Sequence, residues 1–238
     1  ANLTDFQNAM YGDNYDVIMV TETWLNNNIP NSFLDFQGLY EFVRCDRQIT
    51  VGGGVCVAIK KSLRSCTVGL SIDATDLELV AVDIFGCNFK FRVVNVYRPP
   101  YYNETARSSA LILCDELSRL SSVKWPCFIV GDFNCPNICW AKCSAPNDGI
   151  QDIVLRFINE NNFMQLVNEP TRNSNILDLV LCNQPLLVCD LDVQCPIGNS
   201  DHCAVQFSIV HETDEPRVAP QNQGELVYDW QRADFVSM

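Results

Sequence analysis

The sequence predicts an α/β protein in which about ten short strands are covered by a few amphipathic helices. Short apolar runs rich in β-branched and aromatic residues recur along the chain and are typical of buried strands. Two longer segments repeat apolar residues at three- and four-residue steps, as surface helices do. The composition, with 47% hydrophobic residues among 238, is that of a soluble globular domain.

The first half of the chain opens with a helix and continues as strands. A helix is predicted over residues 3–11 and strands over 15–20, 55–59, 66–70, 78–84 and 89–96. The segment between the first two strands is expected to be a long loop. Its three glycines at 52–54 predict a turn or a close approach between strands, because no helix with Lys and Ser or Thr follows them as in phosphate-binding loops. The short Gly86 turn joins the last two strands as a hairpin.

The second half places two helices among the remaining strands. Helices are predicted over 105–120 and 149–161, and strands over 127–130, 164–167, 177–181, 186–193 and 204–210. The helix residues expected to face the sheets are Ala110, Leu113, Leu117 and Leu120 in the first helix and Ile150, Ile153, Val154, Phe157 and Ile158 in the second. After residue 211 the chain is polar and contains proline, which predicts a linker or tail over 212–238.

Charge and cysteine content limit the classes of function. The formal net charge of −13 argues against bulk electrostatic attraction to nucleic acid, so any such contact must be local. Thirteen scattered cysteines, an odd number embedded in apolar strands, predict core residues in a reducing compartment. No signal peptide or membrane span is evident. We therefore expect an intracellular protein.

The segment FIVGDFN at 128–134 ends an apolar strand in polar residues. Gly131 is expected to turn the chain so that Asp132 and Asn134 project at the carboxyl end of the strand, where α/β sheets usually bind ligands. An Asx turn that merely closes the loop is the alternative.

Polar residues stand at other strand ends as well. Glu22 follows the first strand, and Tyr97 follows the strand at 89–96, although a tyrosine at a strand end is more often a packing residue. Asp178 lies inside an apolar run, where a carboxylate is costly unless it is paired. His202, preceded by Asp201, is its natural candidate partner.

Five motifs, TETWL, NVYRPP, GDFN, ILDLVL and SDH, in this order resemble the endonuclease/exonuclease/phosphatase superfamily. Their form is most similar to the apurinic-type endonuclease domain of non-LTR retrotransposons, over residues 16–210. The resemblance implies a four-layered α/β/β/α sandwich of two packed mixed sheets flanked by helices. It also implies phosphodiester hydrolysis with Mg²⁺, or Mn²⁺, and the nicking of target DNA to prime reverse transcription.

The resemblance implies roles for particular residues. The catalytic residues would be Asp132, Asn134, His202, Asp178 and Tyr97, the metal ligands Glu22 and Asp201, and the substrate-binding residues Thr171, Ser200 and Arg98. Asp132 would orient or deprotonate the attacking water, and Asn134 would hold a phosphate oxygen. Asp178 would fix the tautomer of His202, and Tyr97 would contact the phosphate. A hard carboxylate such as Glu22 suits Mg²⁺.

In the family a first strand ends in a metal-binding asparagine, before the helix at 3–11, and Asn2 lies in the wrong element to replace it. We therefore expect residues 1–211 to form the domain without that strand, and residues 212–238 to lead towards a reverse transcriptase. The site of action would be the nucleus. A lipid or inositol phosphoesterase and an inactive binding domain are the alternatives, and a basic groove at Arg44, Arg47 or Arg98 would favour DNA.

Overall fold

The computed structural model describes residues 3–48, 50–71, 76–86, 88–147 and 149–210. The helices are α1 (Leu3–Gly12), α2 (Asn31–Leu34), α3 (Glu104–Ser121) and α4 (Ile150–Glu160). The strands are β1 (Val17–Thr21), β2 (Tyr40–Cys45), β3 (Val55–Lys60), β4 (Arg64–Val68), β5 (Glu78–Phe85), β6 (Lys90–Tyr97), β7 (Cys127–Asp132), β8 (Met164–Gln165), β9 (Asp178–Cys182), β10 (Val188–Gln194) and β11 (Ala204–Ile209). Short 3₁₀ helices cover Trp140–Lys142 and Pro185–Leu187.

The largest sheet has six strands in the order β4-β5-β6-β7-β9-β8. Strands β6 and β7 are parallel, because helix α3 carries the chain back between them, and the other neighbours are antiparallel. This sheet is mixed, as predicted. Its central strands are buried on both faces, which explains why they read as continuous apolar runs.

The second layer consists of two antiparallel sheets, one of three strands in the order β1-β3-β2 and one formed by β10 and β11. Among the described strands, none joins β1 to β11, so this layer consists of two separate small sheets. Both smaller sheets pack on the same face of the large sheet. Ile59 of β3 and Phe207 of β11 share one apolar core with Val82 and Phe128.

Helices close the two outer faces, which gives the predicted α/β/β/α layers. Helices α3 and α4 cover the large sheet, and the apolar residues predicted to face it are all buried. Helices α1 and α2 cover the three-stranded sheet, where Met10 and Leu34 pack against Phe42 and Ala58. All twelve cysteines that the structure describes are free thiols, five of them buried.

The predicted elements are present, with corrections to several bounds, and β8 covers only Met164–Gln165 of the predicted 164–167. Strand β2 was missed, since its segment was read as loop. Strand β4 begins and ends two residues before the predicted 66–70. Strand β7 does not stop at Val130 but continues through Gly131 to Asp132. The tail at 212–238 lies outside the described residues, and so does Asn2.

An inter-sheet cavity of about 1330 Å³ lies between β1 and β11, and every residue of these two strands lines it. One end of the cavity is polar and is lined by Glu22, Asp132, Asp178 and His202. These four predicted site residues therefore lie together at one end of the cavity. Within the described ranges, no helix is both long enough and apolar enough to span a bilayer.

Candidate active site

Three polar side chains lie in one row across the large sheet. The register pairs Asp132 of β7 with Tyr97 of β6 on one side and with Asp178 of β9 on the other. Directly opposite residues of neighbouring strands are close enough for their side chains to interact. The row brings together residues that are up to 81 positions apart in sequence (178 − 97).

Gly131 sets the position of Asp132. Its φ of 139° lies in a region that L side chains rarely adopt. A Cβ on this residue would overlap the carbonyl oxygen of Val96, its neighbour on β6. The expected turn at Gly131 is not present, because β7 continues through this residue to Asp132. Glycine is required because the backbones of β6 and β7 approach closely just before the carboxylate.

Asn134 holds both oxygens of Asp132. Its backbone N–H donates to Asp132 Oδ1 at 2.9 Å, and its Nδ2 donates to Asp132 Oδ2 at 2.7 Å and to the Arg98 carbonyl at 3.0 Å. The first of these bonds is an Asx turn, so the structural alternative and the functional prediction describe the same residues. Both Nδ2 hydrogens of Asn134 are engaged. In this arrangement Asn134 is a positioning residue for Asp132 and does not offer its amide to phosphate.

Arg98 also has a structural role, contrary to its predicted role in substrate binding. It is only 6% exposed. Its Nε donates to the Phe133 carbonyl at 2.6 Å and its Nη2 to the Asn134 carbonyl at 2.5 Å. Its Nη1 donates to the carbonyls of Pro99 and Tyr101. The guanidinium therefore fixes the loop that carries Asn134 and is not free for phosphate.

Asp178 and His202 form the predicted pair, with His202 Nδ1 at 2.7 Å from Asp178 Oδ2. Thr171 is fully buried, so it does not contact substrate as predicted. Its Oγ1 accepts the backbone N–H of Asp178 at 3.1 Å, and its carbonyl accepts that of Cys203 at 2.7 Å. Ser200 Oγ accepts the N–H of His202 at 3.1 Å. Thr171 and Ser200 thus hold the Asp178–His202 pair in place.

Glu22 lies at the end of β1 with a left-handed φ of 51°. Tyr97 Oη donates to Glu22 Oε1 at 2.6 Å, and Trp24 Nε1 lies 3.4 Å from Glu22 Oε2. Because the Tyr97 proton is shared with this carboxylate, the phenol positions Glu22 in this structure. Asn95 adds to the alignment, since its Nδ2 donates to the Val20 carbonyl and ties β6 to the end of β1.

The other predicted metal ligand, Asp201, has a different environment. Its side chain is 68% exposed and is paired with Arg172 Nη2 at 2.5 Å. Glu22 and Asp201 therefore have separate partners, and Asp201 is already neutralised by a cation.

A basic groove at Arg44, Arg47 or Arg98, which would have favoured DNA, is not formed by these residues. Arg44 pairs with Asp46, and Arg47 pairs with Glu78. Together with buried Arg98, these residues offer no free guanidinium.

The electrostatics of the row suit proton transfer near neutral pH. Burial raises the pKa of Asp132 to about 7, the negative charge of Asp178 adds to this rise, and His202 opposes it. The hydrogen bond to Asp178 raises the pKa of His202 above its ordinary value. Burial and the bond to Glu22 raise the pKa of Tyr97. A carboxyl group that titrates near pH 7 beside a histidine can exchange protons with a substrate or water.

The residues fit a divalent cation. Candidate ligand atoms of Asp132, Asp178 and His202, here called the Asp–His cluster, lie within 4.8 Å of one another. Two carboxylates at this separation repel each other, and a cation would relieve that repulsion. Carboxylate oxygens are the ligands preferred by Mg²⁺ and Mn²⁺. Glu22 adds an exposed carboxylate at the same end of the cavity.

Comparison with known proteins shows the family to which the chain belongs. The model of the endonuclease/exonuclease/phosphatase family matches residues 2–202. The chain belongs to this family. The description of the family names endonucleases, exonucleases and phosphatases, so the chain is a hydrolase of this family. None of the curated proteins matches the chain.

Solved structures share the fold at low sequence identity. The endonuclease domain of TRAS1, a telomere-specific non-LTR retrotransposon, has a TM-score of 0.67 and 15% identity, covering 89% of this chain and 93% of that domain. AP endonuclease LMAP from Leishmania major has a TM-score of 0.68 and 16% identity, covering 89% and 83%. The 3′ phosphatase NExo from Neisseria, bound to product DNA hairpin, has a TM-score of 0.66 and 14% identity, covering 88% and 94%.

The sequence did not predict the ion pair behind the site. Arg47 Nε and Nη2 donate to Glu78 Oε1 at 2.8 Å and 2.5 Å, and Glu78 is opposite Tyr97 in the sheet register. The Arg47 guanidinium lies 5.7 Å from the centre of the Tyr97 ring. Glu78 at a predicted strand start was the only local signal. The pair extends the polar row to a fourth strand and supports Tyr97.

Proposed function

We propose that this chain is the endonuclease domain of a non-LTR retrotransposon polyprotein, which nicks target DNA in the nucleus so that a reverse transcriptase in the same polyprotein can begin synthesis. The observation that carries the proposal is the Asp–His cluster beside the Glu22–Tyr97 pair at one end of the inter-sheet cavity. The five sequence motifs and the shared fold with a retrotransposon endonuclease domain support it.

The residues of the chain suit hydrolysis of a phosphodiester. Asp132, with its raised pKa, would accept a proton from the attacking water as the new oxygen–phosphorus bond forms and the bond to the leaving alkoxide breaks. His202, held by Asp178 through Nδ1, has Nε2 available to donate a hydrogen bond to the phosphate when protonated. Asn134 keeps Asp132 oriented through two bonds.

We propose Mg²⁺ as the cofactor, with Mn²⁺ as a substitute. Glu22, whose carboxylate is exposed at the same end of the cavity, would hold it beside the Asp–His cluster. When bound, the cation would supply charge neutralisation at the phosphate and at the leaving oxygen. We do not assign Asp201 as a direct ligand, because it is exposed and paired with Arg172.

Nicking of supercoiled plasmid tests the proposal. The chain should convert supercoiled to open-circular plasmid in Mg²⁺ or Mn²⁺ and should not do so in EDTA. A parallel measurement of phosphate released from inositol phosphates addresses the alternative phosphoesterase. Release of phosphate without plasmid nicking would contradict the endonuclease proposal and support the phosphoesterase. DNA binding with neither reaction would support an inactive binding domain instead.

We also propose that the inter-sheet cavity receives one further β-strand, attached before α1. Among the described strands, β1 pairs with β3 alone and β11 with β10 alone, and the cavity separates their free edges. A strand, helix α1 and then β1 would form a βαβ unit with parallel strands. Its carboxyl end would then lie at the polar end of the cavity, beside Glu22.

Hydrogen exchange tests the strand proposal. A protein extended at its amino end by the sequence that precedes α1 in the full polyprotein should protect the amides of β1 and β11 more strongly than the 238-residue chain does, because free strand edges exchange readily. The amides of β4, an edge strand of the large sheet that would not pair with the added strand, provide the control. Equal exchange of β1 and β11 in the two proteins would contradict the proposal.

A further inference from the structure

Trp24 is an exposed aromatic residue held at the metal-binding end of the site. Its side chain is 61% exposed, although it lies two residues from Glu22. Single exposed aromatic residues are ordinary on protein surfaces. Trp24 differs because its backbone, its indole nitrogen and the surface beneath its ring are each fixed by a separate contact.

The backbone of Trp24 adopts an unfavourable conformation. Its φ is 55°, in the left-handed region that bulky residues rarely occupy. Its N–H donates to the Gly53 carbonyl at 2.9 Å, and the N–H of Thr23 donates to the Gly54 carbonyl at 3.2 Å. Residues held in such conformations cluster at ligand-binding sites, because the surrounding structure must stabilise them. Here the glycine segment supplies that stabilisation.

The glycines at 52–54 form a seat for the indole. A Cβ on Gly52 would lie 3.6 Å from Trp24 Cε2, so the ring packs directly over the backbone of this residue. Gly53 is covered by the Arg47 guanidinium and by the Glu78 carboxylate, which also accepts the N–H of Gly54. The sequence predicted a turn or a close approach between strands at this segment and indicated no function for it. In the fold this segment supports Trp24 through Gly52 and Gly53, and it contacts the ion pair behind the site through Gly53 and Gly54.

The arginines near the site are paired or buried, so few of them can bind DNA phosphates. Arg44, Arg47 and Arg172 are each paired with a carboxylate, and Arg98 is buried against carbonyls. The formal net charge is −13. A nuclease with this surface needs a contact to DNA that does not depend on attraction to phosphate. Stacking of a base on an aromatic ring is such a contact, because every base has a π-face.

We propose that Trp24 stacks on a nucleobase next to the phosphodiester that is cleaved. This inference depends on the endonuclease function proposed above. The indole Nε1 lies 3.4 Å from Glu22 Oε2, so a base on this ring lies within a few ångströms of the carboxylate assigned to the metal. Trp24 is then a substrate-binding residue that sets which nucleotide lies beside the scissile phosphate.

Binding of a fluorescein-labelled DNA duplex, measured by anisotropy without divalent cation, tests the role of Trp24. Stacking of a free base on an aromatic ring is worth about 5- to 150-fold in Kd, but a base in a duplex must first leave its own stack. Trp24→Ala should therefore raise the Kd by up to about 150-fold, and Trp24→Phe should recover most of the affinity. The slope of log Kd against log salt should stay the same, because no cation is lost. Phe36→Ala is the matched control. Phe36 is 69% exposed and packs on Tyr11, in the last turn of α1.

A second readout separates stacking from a general effect on folding. A 2-aminopurine base moved stepwise through the duplex should be quenched by the wild-type protein at one position beside the nick, and Trp24→Ala should abolish that quenching. The melting temperature without DNA should not change. If the wild-type protein binds and nicks DNA but Trp24→Ala matches it in Kd and quenching, the stacking role is overturned and the endonuclease proposal stands. If the wild-type protein neither binds nor nicks, both are overturned.

Discussion

Replacing Gly131 with alanine should destabilise the protein and displace Asp132. The new Cβ would lie 2.9 Å from the carbonyl carbon and from the amide nitrogen of Val96 and would overlap its carbonyl oxygen. Ordinary contacts between such atoms are about 3.5 Å, so β6 and β7 would have to separate by at least about 0.6 Å. The clash is with backbone, and no side chain can rotate to relieve it.

The expected cost follows from two effects. Overpacking of this kind costs about 1–3 kcal/mol, and an alanine at a φ of 139° costs about 1–3 kcal/mol more. The sum, about 2–6 kcal/mol, is large against a typical stability of about 5–15 kcal/mol. Urea denaturation followed by circular dichroism measures it. Gly69→Ala is the control, because nothing lies within 4 Å of its new Cβ. If Gly131→Ala changes the free energy of unfolding by less than about 0.5 kcal/mol, the close approach of the two strands does not constrain the site.

Two further substitutions test the interactions that Asp178 and Glu116 make with their charged partners. Asp178→Asn should lower the pKa of His202, which the hydrogen bond to Asp178 raises, and should reduce nicking about 10²- to 10⁴-fold. NMR titration can follow His202, because the chain has only two histidines, and an unchanged titration would argue against the pairing. The Glu116 carboxylate accepts hydrogen bonds from Arg119 and from the backbone N–H of Ser71, and these bonds lower its pKa to about 2. The stabilisation that this carboxylate provides is therefore complete above pH 4.5 and is lost as the pH falls towards 2. After allowance for the half-exposed Arg119, Glu116→Gln should cost about 2 kcal/mol at pH 7 and almost nothing at pH 2, and a difference independent of pH would refute this reasoning.

Local pattern predicted most of the elements, because their apolar periods match the buried faces. Helix α4 shows this clearly, since each residue predicted to face the sheet is buried. Strand β2 was missed although Tyr40 and Phe42 point inwards and Glu41 points outwards. Its alternation is short and interrupted by charge, as expected for an edge strand that is half exposed. The alternation of apolar and polar residues was present in the sequence, but it was too short to be separated from the adjoining loop.

The composition of the site was easier to predict than the role of each residue. Polar residues at strand ends indicated Asp132, Asp178 and His202, and the fold brings these three together. The sequence could not predict that Arg98 and Thr171 face the protein interior. Arg98 binds backbone carbonyls 35 and 36 residues away, and the Thr171 hydroxyl accepts backbone N–H groups at the start of β9, contacts that only the folded chain forms. Strand pairing is likewise nonlocal, so the row from Tyr97 to Asp178 emerged only from the register of β6, β7 and β9.

The rate of Mg²⁺-dependent plasmid nicking by two site variants tests the central claim most directly. His202→Ala and Asp132→Ala should each reduce the rate at least about 10²-fold, because each removes a group that transfers or stabilises a proton. Asp152→Asn changes a carboxylate on the surface of α4, paired with Arg156, and should leave the rate unchanged. Equal nicking by the wild-type protein and by both site variants would show that the Asp–His cluster is not the catalytic site.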